Sequence, residues 1–136
     1  MVHALHRAHA LVAPDGCVVD LRPTPQTAHV ECGGLVIGVL DADAADLRHA
    51  AAESALAEVL AAGLFRADAG RDFWFFTCGD SIEELRDHVH ESWRDSRIAD
   101  ALVARARDVH RARPSLEFRV AEQLRINRLL PEGRLE

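Results

Sequence analysis

The chain has 136 residues, of which 49% are apolar and 28% charged, a composition that supports one globular domain with a real core. No apolar run approaches the ~20 residues a membrane span needs, and the N-terminal MVHALHRAHALVAPDG lacks a basic lead and a continuous apolar stretch, so neither a membrane anchor nor a signal peptide is expected and the expected location is the cytoplasm. A formal net charge of −6 lacks the basic excess of a phosphate-binding surface, so no nucleic-acid partner is expected.

Residues 2 to 12 read as a helix with Leu5, Ala8, Leu11 and Val12 on one face. Pro14-Asp15-Gly16 ends it, because proline disfavours a helical Ala13 and Gly16 tolerates positive φ. Cys17 to Leu21 is a short β-branched run that reads as a buried strand, and Arg22-Pro23-Thr24-Pro25 stops it. In HVECGGLVIGVL, two β-rich runs flank Gly33-Gly34, the signal of a two-residue hairpin. Asp41 to Gly63 reads as a helix capped by Asp41 or Asp43 and ended by Gly63.

Arg71 to Cys78 carries large side chains in both registers, the pattern of a strand covered on both faces. Ser81-Ile82-Glu83-Glu84 is a capping box, so a helix starts there, with Ile82, Leu85, Val89 and Trp93 inward. It bends near Asp95-Ser96 and resumes through Ile98, Leu102, Val103 and Val109 to Pro114. From Leu116 to Asn127 apolar and polar residues alternate, as in a long strand with one wet face. The three cysteines, Cys17, Cys32 and Cys78, form no CxxC and lie in or beside apolar runs, which predicts buried free thiols. Arg105, Arg107, Arg111 and Arg113 share their helix with Asp100 and Asp108 and read as a solvated face.

The stretch ALHRAHALVAPDGCVVDLRP resembles the passage in class I S-adenosylmethionine-dependent methyltransferases where a helix runs into a late sheet strand; Ala4, His9, Leu11, Val12, Pro14, Gly16 and the Val18 to Asp20 strand carry the likeness. Leu56 to Phe65 resembles the following helix and its exit. Phe73 to Cys78 resembles the next strand, and the final strand would be its antiparallel partner. The resemblance implies the C-terminal half of such a domain: an α+β fold with a mixed, mostly antiparallel sheet of about five strands and helices packed against it. Those enzymes bind their cofactor in the first half, through a Gly-rich turn and an acidic strand end. The chain starts after both features, and Gly33-Gly34 opens no helix. No cofactor-binding residue carries over, and no cofactor is expected.

Asp20 and Arg22 end the first strand, and His29 and Glu31 share a face of the next by period two. With Trp74 they form the candidate ligand pocket, with His29 and Glu31 as acid or base groups; the plainer reading is an ion-paired surface, since no nucleophile or oxyanion donor stands out. His3, His6 and His9 recur at helical spacing without an acidic or thiolate neighbour, so no metal site is expected. Trp74 and Trp93 with Phe73, Phe75 and Phe76 could floor a ligand pocket; the plainer reading of aromatics on a strand and on the inner stripe of a helix is core.

The expected function is a non-catalytic assembly or binding module. The alternative is the substrate-side half of a small-molecule methyltransferase completed by a second protein chain or by a segment upstream. A homodimer is expected, because a strand that the family pattern pairs on both sides would here have an open edge. The competing solution is that the Cys32-Gly33-Gly34 hairpin folds back and caps that edge.

Overall fold

The computed structural model describes residues 1–42 and 45–133. Among the described residues, four helices and a mostly antiparallel five-stranded sheet make an α+β fold. In chain order the elements are α1 (Val2–Leu11), β1 (Val18–Pro23), β2 (His29–Cys32), β3 (Leu35–Val39), β4 (Asp41–Ala42), α2 (Ala45–Ala61), β5 (Phe65–Gly79), α3 (Ile82–Ser92), β6 (Ser96–Arg97), α4 (Asp100–Ala112) and β7 (Phe118–Pro131). Strand β7 pairs with β1, β2 and β5, and β2 also pairs with β3. The described residues divide into two compact units, each with its own core.

One unit comprises Pro25–Ala45 and Trp74–Gln123. Its hairpin turns at Gly33 and Gly34, with φ of 56° and 83°, the pair of positive angles that a type I′ turn demands. Strand β2 lies antiparallel to the start of β7, with Val30 opposite Val120 and Cys32 opposite Phe118. These four side chains are buried together with Ile82, Leu85 and Val89 of α3 and Leu102, Val103 and Ala106 of α4. Each such Val, Leu, Ile or Phe side chain contributes about 1.5–3 kcal/mol relative to exposure.

The capping box forms: Ser81 Oγ accepts from the Glu84 N–H at 3.1 Å, and Glu84 Oε2 accepts from the Asp80 N–H at 2.7 Å. The expected single bent helix is two helices. α3 stops at Trp93, and Ser96-Arg97 becomes strand β6, antiparallel to Asp41-Ala42. That pairing also explains why α2 begins at Ala45 and not at Asp41, whose backbone is extended. Asp43, the other expected cap, lies outside the described residues.

The other unit comprises Met1–Thr24, Asp46–Phe73 and Leu124–Glu136. Leu5, Leu56, Val59, Phe65 and Leu129 form its core, with Val2, Val12, Val18, Leu60 and Leu64 at the margin. Leu11, expected on the inner face of α1, is exposed. Gly63, at φ 66°, follows α2 as expected of a C′ glycine. His9 has a structural role: its ring stands edge-on to Phe65 at 5.2 Å and its Nε2 bonds the Glu132 carbonyl at 2.8 Å.

Strand β1 corrects two expectations. It runs on through Pro23, paired from Val18–Leu129 to Pro23–Leu124, because a proline is tolerated in a strand at the end of a sheet. It is buried on one face only: Val19 and Leu21 are 58% and 56% exposed. The strand expected at Arg71 to Cys78 begins earlier, at Phe65, and is not covered on both faces; among the described residues it pairs with β7 alone, and Trp74, Phe75 and Phe76 are exposed. Nor does β7 keep one burial parity. Phe118 and Val120 are buried in one unit and Leu129 in the other, while Ile126 is exposed. Of the cysteines expected to be buried, only Cys32 is; Cys17, ahead of β1, and Cys78, near the end of β5, are exposed.

Candidate functional site

In the unit that carries the hairpin, β2 presents His29 and Glu31 on the face opposite Val30 and Cys32. Glu31 Oε1 accepts from His29 Nε2 and Glu31 Oε2 from Arg119 Nε, both at 2.7 Å. Glu31 and Arg119 are direct cross-strand partners, so the sheet register itself makes the ion pair. Burial opposes the charge on Glu31, but the two donated bonds outweigh it and hold the carboxyl below its ordinary range.

Aromatic rings of β5 complete the cluster. The Arg119 guanidinium lies over the Phe76 ring, 4.0 Å from its centroid. The Trp74 and His29 rings meet at a steep angle with centroids 5.2 Å apart. His29 pairs across the strands with Ala121, which is buried. Val36, the Cα partner of Glu31 on β3, and Val39, that of His29, are exposed.

Asp20 and Arg22 belong to the other unit. Arg22 Nε lies 3.1 Å from Asp20 Oδ2 and Arg22 Nη2 lies 3.2 Å from Glu53 Oε1 on α2. Asn127 donates to Asp20 at 2.9 Å. Arg125 grips Asp72 through two bonds of 2.7 and 2.9 Å, and these hold the Asp72 carboxyl below its usual range. A shallow cleft of about 430 Å³ opens beside them, lined by Gly70, Arg71, Asp72, Arg125 and Asn127. Thus His29, Glu31 and Trp74 are brought together in one unit, and Asp20 and Arg22 are partners in the other.

Sequence reasoning named Phe76 among the aromatics that could floor a pocket, but missed Arg119 in the first cluster and Glu53, Asp72, Arg125 and Asn127 in the second. Arg119 was visible as a wet-face residue of the last strand. Its partner follows only from the β2–β7 register, which no local pattern encodes.

A third feature is a cleft of about 320 Å³ lined by Cys78, Glu84, His110 and Glu117, among others. His110 Nε2 turns to the Pro114 carbonyl at 3.0 Å, and Glu84 is engaged in the α3 cap. Neither is aimed at the thiol as the base that nucleophilic catalysis needs. On α4, Arg107 pairs with Glu83 and Arg111 with Asp108, all on exposed side chains. Among the described residues no group of three or more His, Cys, Asp or Glu side chains is arranged to hold a metal ion, and no helix is long and apolar enough to cross a membrane.

No protein-family model, curated protein or solved structure matches the chain.

Proposed function

We propose that the chain is a non-catalytic assembly or binding module that works as a homodimer. One observation carries this reading: the ionisable groups of the candidate site are engaged with one another, while large apolar side chains on the strands are left open. Glu31 accepts from both His29 and Arg119, so the acid–base pair is engaged within the cluster. Val19, Leu21, Val36, Val39, Trp74, Phe75 and Phe76 stand exposed on β1, β3 and β5. A paired-off charge cluster framed by aromatic and branched side chains is the chemistry of a recognition surface. Apolar strand faces of this extent favour association.

Two measurements test it. Light scattering at micromolar concentration should give the mass of a dimer; a monomeric mass that persists as concentration rises overturns the assembly reading. Calorimetry should show no saturable S-adenosylmethionine binding up to about 1 mM, the limit of weak binding. A stoichiometric micromolar isotherm would replace this proposal with the substrate-side methyltransferase half.

A further inference from the structure

Strand β1 stands at the end of the sheet order, paired to β7 on one side only, so among the described residues its other edge offers backbone N–H and C=O groups to a new strand. Of the usual guards of such an edge, only Pro23 at its last position is present. Its two charged residues, Asp20 and Arg22, have side chains only 11% exposed and lie against Glu53 and Asn127. The side chains that do face outward are Val19 and Leu21. Arg22 is also incompletely satisfied: its Nη1 is buried and makes no hydrogen bond. Asp20 and Arg22 thus set opposite charges two residues apart on one face of the edge strand.

We infer that the occupant of this edge is a second copy of the chain, its β1 pairing antiparallel to the first about a two-fold axis through Leu21. The inference rests on the homodimer reading above and adds the place and register of the interface. An edge-to-edge antiparallel pair keeps like faces together only if the axis passes through a residue. Four positions within β1 are available. An axis at Asp20 sets two carboxylates opposite each other, and one at Arg22 sets two guanidinium groups opposite, both repulsive. An axis at Val19 leaves Arg22 opposite Gly16, with no acceptor side chain. An axis at Leu21 sets Asp20 of each copy opposite Arg22 of the other, twice, so that opposite charges face each other at both positions. On the other face it joins the two Leu21 side chains and places Val19 opposite Pro23. The Asp-Leu-Arg triplet is thus self-complementary, as an isologous contact requires.

The experiment is disulfide trapping of the full chain, with the exposed native thiols removed by Cys17→Ser and Cys78→Ser. Across the Leu21 axis the two Cα atoms stand about 4.5–5.5 Å apart, within the span of a disulfide, whereas the two Val19 positions are roughly 13 Å apart. Mild oxidation should therefore convert most of the Leu21→Cys protein to a covalent dimer and leave Val19→Cys monomeric on a non-reducing gel. Both positions are solvent-exposed, so neither change disturbs the core. A trapped Val19→Cys dimer with no Leu21→Cys dimer overturns the register. If light scattering shows a dimer and neither variant is trapped, the β1 interface is wrong and the homodimer reading stands. If the protein is monomeric at every concentration, both fall.

Discussion

Replacing Glu31 by alanine should destabilise the protein by about 1.5–4 kcal/mol, because a nearly buried carboxylate that satisfies two donors is removed. The Glu31 side chain is 12% exposed and takes bonds of 2.7 Å from His29 and from Arg119. The two donors respond differently. Arg119 is 37% exposed, so water can replace its lost partner; that half should cost about 0.5–1 kcal/mol, the size of an exposed ion pair. His29 is 14% exposed, and its stranded N–H should cost about 1–3 kcal/mol. Arg119→Ala alone should cost about 1–2 kcal/mol, since it loses both the Glu31 bond and the contact over Phe76. The double variant should be less destabilised than the sum, by about 1 kcal/mol. Urea unfolding followed by tryptophan fluorescence measures all three. A Glu31→Ala cost under about 0.5 kcal/mol, the size of an ordinary surface change, would refute the reasoning, as would strict additivity.

The pH response follows from the signs of two shifts. Glu31 is held below the ordinary 4.5, so its contribution is complete above that value and is lost as pH falls through the lower folded-state value. The melting-temperature gap between the original protein and Glu31→Gln should therefore hold from about pH 7 to 5 and close in stronger acid; a gap that persists at about pH 2 counts against the account. Glu122, half-buried on β7, is shifted the other way: burial pushes its carboxyl up, so the stability linked to its protonated form is present below the unfolded value and is lost as pH rises through the folded one. Glu122→Gln should raise the melting temperature near neutrality and lose that advantage in acid, and scanning fluorimetry at both ends would expose the opposite trend. In the hairpin, a Cβ at Gly33 would lie 2.7 Å from Leu116, whereas none at Gly34 meets an atom within 4 Å. Gly34→Ala should cost about 1–2 kcal/mol for positive φ alone, and Gly33→Ala about 1–3 kcal/mol more, by urea titration; equal costs would remove Leu116 as the reason.

The local parts of this fold were legible in the sequence. The Gly33-Gly34 turn, the Ser81–Glu84 cap and the Gly63 stop each rest on a few neighbouring residues, and each is where the pattern put it. Long-range pairing was not legible. Nothing near Asp41 announces that it pairs with Arg97, so the start of α2 was placed too early. The aromatic run of β5 and the apolar run of β1 read as core because hydrophobicity was taken as burial. In both strands these side chains project from sheet faces that stay open to solvent. In the candidate site, the His29–Glu31 pair followed from period two within one strand. Arg119 and Phe76 come from strands 88 and about 45 residues away, joined to Glu31 only by sheet register.

Sedimentation equilibrium on the original chain and on Leu21→Lys tests the central claim most directly. Between about 1 and 100 µM, the range in which a modest strand-edge interface assembles, the original chain should move from 15.0 kDa toward twice that mass. Leu21→Lys, which sets two like charges at the proposed axis, should stay at 15.0 kDa throughout. An original chain that remains at 15.0 kDa at the highest concentration contradicts the homodimer, and a Leu21→Lys protein that dimerises as readily as the original contradicts the β1 interface.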